Sequence, residues 1–176
     1  MTKAPRRGKA PPPAESVPDE GLRMRPFERS LPMALLRARE AVMRGFRRLL
    51  RGHGLNEQEW RIIRALAEVE RLEMGELADR VFILKPSATR TVRNLQGRDI
   101  VSRARADSDQ RKAYIALTPA GRALFDAVAP ESEAEYARLT ALIGEADVRA
   151  LYALLNRVGT VLGARGPDAD LPDDQA

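Results

Sequence analysis

Residues 85–119 read KPSATRTVRNLQGRDIVSRARADSDQRKAYIALTP, and this stretch decides the fold. Pro86 stands in a first helical turn, where proline is tolerated, and predicts a helix that reaches about Leu95. Two short runs of alternating residues follow, Ile100 to Ala106 and Ala113 to Leu117, and the polar residues between them predict a β-hairpin. A short helix followed by a hairpin is typical of the second half of a winged helix-turn-helix.

Three helices are predicted before this stretch. Apolar residues recur at three- and four-residue steps from Leu31 to Leu49, and the first helix ends near Gly52. Asn56 followed by Glu59 has the pattern of a capping box and starts the second helix. A third helix covers about Met74 to Val81, without a good capping residue before it.

Two further helices are predicted after the hairpin. Thr118 followed by Pro119 is a strong start signal for the fifth helix, and Glu145 to Leu162 forms the sixth. The predicted fold class is therefore mainly α with a small β-hairpin, a winged helix-turn-helix built from four helices, the hairpin and two helices. Because the first and the last two helices are strongly apolar on one face, we expect a partner subunit to cover them in a homodimer.

The positive charge of the chain is concentrated in this stretch. The whole chain carries a net charge of +5. Between Lys85 and Lys112 there are eight basic and three acidic residues, which leaves 22 of each sign elsewhere. A charge run is usually a solvated face, but here it coincides with a groove-sized helix and a hairpin. This coincidence favours a site for the phosphate backbone of double-stranded DNA.

Both ends of the chain differ in composition from its centre. The N-terminal residues are rich in Pro, Arg and Lys without apolar periodicity, which predicts a disordered arm. The C-terminal residues include four Asp and predict a disordered acidic tail. The expected division is an arm at 1–29, one domain at 30–164 with a DNA-binding head at 55–118 and dimerisation helices at 30–54 and 119–164, and a tail at 165–176.

The predicted recognition helix carries side chains suited to the major groove. Arg can bond a guanine edge through two hydrogen bonds, hydroxyl groups reach phosphates or bases, and small residues allow a close approach. The alternative is that these residues only decorate a solvent-facing side of the helix. The residues expected to meet DNA are Lys85, Ser87, Ala88, Thr89, Arg90 and Arg93.

The hairpin supplies the second predicted DNA contact. Arg105, Arg111 and Lys112 place positive charge along it, and an Arg near its tip can enter a narrow minor groove. Asp109 lies two residues before Arg111 and could hold that guanidinium extended. It could equally form the turn through its own backbone, and the two roles are compatible.

Composition argues against several other classes of protein. The chain has no Cys and a single His, which speaks against disulfides and a dedicated metal site, and we expect no cofactor. No apolar run approaches the roughly 20 residues of a membrane span. A secretory signal is also missing, so we expect a soluble protein of the cytoplasm, associated with the bacterial nucleoid. No catalytic triad or phosphate-binding loop is recognisable, so we do not expect an enzyme.

The run from Asp109 to Thr118, with Gly121 three positions on, resembles the wing signature of the MarR family of regulators. The resemblance covers about Ser30 to Leu162. The segments 35–40, 56–62 and 84–87 are similar to the subgroup that regulates homoprotocatechuate degradation. The resemblance implies a homodimeric repressor of an aromatic-compound catabolic operon, released from a pseudo-palindromic operator by an aromatic acid or its CoA thioester. One departure is Asp99, where the family usually has Gly.

In such regulators the ligand pocket lies between the dimer helices and the reading head. A carboxylate needs a cationic partner and a phenyl ring needs an apolar wall. The resemblance therefore points to Arg39, His53, Trp60 and Arg64 as effector-binding residues. Trp60 could instead be an ordinary core residue, and His53 an idle loop residue. A constitutive architectural DNA-binding protein without an effector is the alternative function.

Overall fold

The computed structural model describes residues 26–105 and 112–163, and it confirms the mainly helical fold with a small sheet. The chain divides into two compact units after Ala38, and the packing described below is that of the second unit. The elements are a 3-10 turn (Phe27–Arg29), helices α1 (Leu31–Gly52), α2 (Glu57–Ala67), α3 (Met74–Arg80), α4 (Lys85–Gly97), α5 (Pro119–Ile143) and α6 (Glu145–Val161), and strands β1 (Leu72–Glu73), β2 (Val101–Arg105) and β3 (Ala113–Leu117).

The three strands form one antiparallel sheet in the order β1-β3-β2. The hairpin strands β2 and β3 pair along their full length, with Val101 opposite Leu117, as the alternating pattern predicts. The sequence did not predict β1, in which Leu72 pairs with Ile115. Because β1 ends where α3 begins, this short strand ties the helix-turn-helix to the wing.

The core lies where α2, α3 and α4 meet the sheet. Its largest fully buried side chains include Leu66, Leu77, Leu95 and Ile115, one from each of these elements. Burying each such side chain contributes roughly 1.5–3 kcal/mol relative to leaving it exposed. By contrast, α6 has no buried residue within the described part of the chain. The core therefore fixes the orientation of α4 but leaves α6 uncovered.

Capping residues define where the helices begin. The Asn56 side chain accepts hydrogen bonds from the backbone N–H groups of Gln58 and Glu59 at 2.9 and 3.0 Å, and Glu59 accepts one from Asn56 N at 2.9 Å. This capping box confirms the predicted start of α2. At the start of α3, which lacked a conventional cap in the sequence, the Glu76 carboxylate accepts from Glu73 N at 3.2 Å.

Helices α1, α3 and α4 all end in the same left-handed turn. In each turn the residue after the C-cap has a positive φ, and the next backbone N–H donates to a carbonyl five residues earlier, which defines a Schellman motif. The left-handed residues are Gly54, Phe82 and Asp99, with φ of 67°, 51° and 56°. Only Gly54 adopts this conformation without a steric penalty. Asp99 stands where the family usually has Gly, which agrees with this conformation, whereas nothing in the sequence singled out Phe82.

Candidate nucleic-acid interface and effector site

One face of α4 is free of the core. Arg90 and Arg93 are exposed and lie three residues apart, and neither has a hydrogen bond or ion pair within the described part of the chain. Lys85 is also exposed, while Ser87 and Thr89 are half-buried. These five predicted positions therefore lie on or beside one accessible face of α4, and the guanidinium groups of Arg90 and Arg93 are available to a ligand.

Two details of α4 differ from the sequence-based expectation. Ala88 is fully buried and packs in the core, so its side chain is removed from the predicted interface. Its methyl group lets α4 approach the other helices instead of a DNA groove. Asn94, which was not predicted, is exposed four residues after Arg90 and shares its face. An amide side chain is a common reader of adenine edges, so its residue type was the available signal.

Arg98, at the end of α4, makes contacts inside the protein. Its guanidinium donates to Glu59 at 3.1 Å and to the carbonyl oxygen of Gly54 at 3.1 Å. It thereby connects the end of α4 with the start of α2 and the turn after α1. The guanidinium group of Arg98 is therefore occupied by partners inside the protein.

The wing lies beside α4 and carries further basic residues. Lys112 is exposed at the start of β3, and its Nζ lies 3.6 Å from a carboxylate oxygen of Glu73. Such a solvent-exposed ion pair contributes little energy and can be exchanged for a phosphate contact. Arg71, which the sequence did not single out, places its guanidinium 4.7 Å from the centre of the Tyr114 ring. Asp109, Arg111 and the side chain of Arg105 lie outside the described part of the structure.

Trp60 and Arg64 line a cavity of about 210 Å³ between α2 and α5. Trp60 is buried and stacks on Phe125 with 5.7 Å between ring centres. Arg64 donates to the hydroxyl of Tyr136 at 2.9 Å, and its guanidinium lies 5.6 Å from the centre of that ring. The cavity therefore combines aromatic walls with an arginine.

The charge of Arg64 is stabilised in this position. Burial lowers the pKa of the guanidinium, but the hydrogen bond with Tyr136 and the nearby Glu133 and Glu68 outweigh burial and raise the pKa overall. Arg64 makes no ion pair with a carboxylate among the described residues. Within these residues Arg64 is not ion-paired, although Glu68 and Glu133 also line the cavity, and a guanidinium group beside aromatic rings is suited to an aromatic carboxylate.

The other two predicted effector residues lie elsewhere. Arg39 forms ion pairs with Glu40 and Glu57. His53 contacts Glu131 at 3.0 Å across to α5. Neither residue lines the cavity of Trp60 and Arg64. Only two of the four predicted side chains are therefore brought together, and Phe125 and Tyr136 join them without having been singled out as ligand contacts.

Within residues 26–105 and 112–163, no group of three or more His, Cys, Asp or Glu side chains is placed to hold a metal ion. None of the helices there has the length and apolar character needed to cross a membrane.

Known proteins resemble the chain over most of its length. A model of the MarR family matches residues 53–112. The chain is 37% identical over 145 residues to the homoprotocatechuate degradative operon repressor of Escherichia coli, a match that covers 82% of this chain and 97% of that relative. Two solved structures are also similar in fold.

The first of these structures is NadR in complex with 4-hydroxyphenylacetate, with a TM-score of 0.66 and 31% identity over 78% of this chain and 97% of that chain. The second is the transcriptional repressor CouR bound to a 23-mer DNA duplex, with a TM-score of 0.69 and 27% identity over 74% of this chain and 92% of that chain. These relatives confirm the resemblance seen in the wing sequence. The chain belongs to the MarR family of transcriptional regulators.

Proposed function

We propose that the chain is a homodimeric repressor that binds an operator through α4 and the wing and is released by a small aromatic acid. The observation that carries the proposal is the exposed pair Arg90 and Arg93 on α4, which lack internal partners among the described residues. It is supported by the likeness to the Escherichia coli operon repressor and to CouR bound to DNA. Such a protein acts in the cytoplasm, together with the DNA that it controls.

DNA recognition follows from the shape and charge of the α4 face. An α-helix fits the major groove, and an arginine there can bond a guanine edge bidentately. We propose that Arg90, Arg93 and Asn94 read base edges, with Lys85, Ser87 and Thr89 near phosphates. The wing residues Arg105, Asp109, Arg111 and Lys112 are proposed to contact the flanking minor groove and backbone.

The effector is proposed to bind in the cavity beside Trp60. Its ring would pack against Trp60 and Phe125, and its carboxylate would bond Arg64. Support comes from NadR, which has the same fold and was solved with 4-hydroxyphenylacetate. Either a free aromatic acid or its CoA thioester would present such a ring. Arg39 and His53 would act only indirectly, through their own ion pairs.

Release requires two states of the dimer. Two recognition helices about 34 Å apart match successive major grooves of a pseudo-palindrome. An effector that prefers a different separation of the heads lowers the population of this state and so weakens DNA binding. The exposed apolar residues of α6 are the proposed dimer contacts.

A gel-shift titration tests the DNA interface. The probe is the duplex upstream of the chain's own gene, and the competitor is a scrambled duplex at the same salt concentration. Arg90→Glu should weaken binding to the upstream duplex by roughly tenfold to a hundredfold, as expected for loss of a bidentate base contact. Arg44→Glu makes the same charge change on an exposed residue of α1 and should bind nearly as wild type. Equal binding of both duplexes by the wild type would indicate an architectural protein instead.

A second titration tests the effector site. Adding 4-hydroxyphenylacetate should weaken the binding of wild-type protein to the upstream duplex. Arg64→Met should bind the duplex without losing affinity on addition of the acid, because the carboxylate partner is gone. If the acid acts equally on both proteins, the proposed contact with Arg64 is wrong.

A further inference from the structure

Arg61 links the effector-binding helix to the turn that precedes the recognition helix. It lies on α2 between Trp60 and Arg64, and its Nη1 donates to the carbonyl oxygen of Val81 at 2.7 Å. A longer contact of 3.4 Å reaches the carbonyl oxygen of Phe82. Carbonyl groups at the end of a helix lack partners within the helix and carry the negative end of its dipole. Arg61 therefore stabilises the end of α3 from a neighbouring helix.

The turn held by Arg61 is under strain. Phe82 has a φ of 51°, although a bulky side chain disfavours this left-handed conformation. Its ring is 55% exposed, so burial contributes little to compensate for the strain. The remaining stabilisation comes from the bonds of the turn, including Ile83 N to Ala78 O at 3.1 Å. Because α4 begins at Lys85, this turn sets the direction of the recognition helix.

The guanidinium of Arg61 is incompletely satisfied. No carboxylate lies within ion-pair distance of it in the described ranges, and its buried Nε has no hydrogen-bond partner there. Burial lowers the pKa of Arg61, and the nearby positive charge of Arg39 lowers it further. A carboxylate is a stronger acceptor for a guanidinium than a backbone carbonyl. An anion that reached Arg61 would therefore compete well against the turn.

A cavity of about 340 Å³ borders both Arg61 and the turn. It is lined by Arg61, Arg64 and Glu68 on α2, by Arg80 at the end of α3, which is ion-paired with Glu68, and by Val81 and Phe82 on the turn. Its volume falls in the range of small-ligand sites. Two guanidinium groups on successive turns of one helix, together with apolar Val81 and Phe82, match an aromatic carboxylate.

We propose that Arg61 is the positioning residue through which an anionic ligand acts on α4. In the ligand-free protein Arg61 holds the α3–α4 turn closed. An aromatic carboxylate bound in this second cavity, apart from the position beside Trp60, accepts hydrogen bonds from the Arg61 guanidinium in place of the turn. The turn then loosens, and α4 loses the orientation that fits DNA. The ligand class in this proposal rests on the proposed function. The structural half of the proposal, that Arg61 stabilises the α3–α4 turn, can be tested without any ligand.

Amide hydrogen exchange measured by NMR on the full-length protein tests this structural half. Arg61→Met should speed exchange at the Ile83 amide by roughly tenfold, the loss expected when one such hydrogen bond is removed. Arg122→Met is a matched control, since Arg122 donates at 3.0 Å to the carbonyl oxygen of Ala67 at the end of α2. Exchange at Ile83 should stay as in wild type in this control.

The Phe82→Gly variant distinguishes an effect of Arg61 on the strained turn from an effect on the overall stability of the protein. In a Phe82→Gly background the left-handed turn no longer carries a steric penalty, so adding Arg61→Met should speed exchange at Ile83 by clearly less than tenfold. An equal effect of Arg61→Met in both backgrounds would mean that Arg61 only supports overall stability, and the proposal would be overturned. Arg61→Lys keeps the charge and should fall between wild type and Arg61→Met.

The proposed competition of a ligand for Arg61 is tested with 4-hydroxyphenylacetate at millimolar concentration. This acid should speed exchange at Ile83 in wild type but have little further effect in Arg61→Met. If the acid leaves exchange in wild type unchanged, or speeds it equally in the variant, competition for Arg61 is excluded. A wild-type protein that shows the exchange effect but no preference for the upstream duplex would contradict the proposed function and leave the role of Arg61 standing.

Discussion

Gly121 shows how closely two segments meet at the junction of α4 and the wing. A Cβ atom at this position would lie 2.0 Å from the carbonyl oxygen of Ile100. That oxygen also accepts a hydrogen bond from Thr118 N at 3.1 Å, so it cannot move away freely. The absence of a side chain at Gly121 therefore allows the start of α5 to sit against the chain leading into β2.

Gly121→Ala should destabilise the protein by about 1–3 kcal/mol, as overpacking against backbone does, despite the better helix propensity of Ala. Gly97→Ala is the control, because nothing lies within 4 Å of a Cβ there. It should be neutral or stabilising by up to about 1 kcal/mol. Urea unfolding followed by circular dichroism measures both, and a Gly121→Ala protein as stable as wild type would show that the junction can open.

Single residues were predictable from the sequence when their role is local. Asn56 and Thr118 cap helices through bonds to residues two or three positions away, so their identity and spacing are sufficient. Ala88 and Arg61 depend on helices that are distant in sequence. The burial of Ala88 and the contact of Arg61 with Val81 follow only from the tertiary packing.

At the scale of elements, a network of ion pairs joins α1 to α2. Arg47 bonds Glu40 on its own helix, with one of these bonds at 2.8 Å, and it also bonds Glu57 on α2, which Arg39 contacts as well. Burial raises the pKa of Glu57, but the bonds from Arg47 and Arg39 outweigh it and hold the pKa below its usual value. The bond from Arg47 is the main reason that the pKa of Glu40 is also lowered.

Carboxyl groups with a lowered pKa stabilise the fold at neutral pH, and this contribution is lost as the pH falls below about 4.5, their usual pKa, and through the folded-state value. Glu57→Gln should therefore be slightly less stable than wild type at pH 7, by less than about 1 kcal/mol. It should also lose less stability than wild type between about pH 5 and about pH 3, a window that starts just above the usual carboxyl pKa and extends below it because the folded-state pKa is lowered. Urea midpoints across this window measure the difference.

Glu145→Gln serves as the control for this pH series. Glu145 pairs with Arg149 at 3.0 Å on α6, and both side chains are highly exposed. Its acid response should follow that of wild type. If Glu57→Gln also follows wild type at every pH, the ion pairs between α1 and α2 do not stabilise the protein in solution.

Helices and strands could be predicted from the sequence when their apolar pattern extends over several residues. The periodic helices and the paired hairpin strands were recognised because their apolar spacing repeats over several residues. Strand β1 has two residues, too few for any alternation, and exists only because Leu72 meets Ile115 more than forty positions later. Its pairing is a property of the tertiary fold.

At the scale of the whole molecule, α6 offers an uncovered apolar stripe. Leu151, Leu154, Leu155 and Val158 are between 38% and 59% exposed and recur at helical spacing. A contiguous exposed apolar patch of this kind is typical of a protein–protein contact. We therefore expect the stripe to be buried between two copies of the chain.

Leu155→Asp should convert the dimer into a monomer, because it places a charge in an apolar interface. Analytical ultracentrifugation at micromolar concentration would show the change in mass. Binding to the upstream duplex should weaken strongly, since two heads no longer bind as one unit. Thr160→Asp adds the same charge to an exposed residue outside the stripe and should remain dimeric. A Leu155→Asp protein that is still dimeric would place the interface elsewhere.

The left-handed turns at Phe82 and Asp99 bracket α4, and the backbone hydrogen bonds that close them involve none of the side chains on the exposed face of this helix. The helix can therefore neither lengthen nor slide without reversing a backbone angle at one of its ends. The exposed residues of α4 can therefore be replaced without changing the position of the helix. Transplanting the exposed positions of α4 from another regulator should redirect this protein to a foreign operator while leaving its scaffold intact.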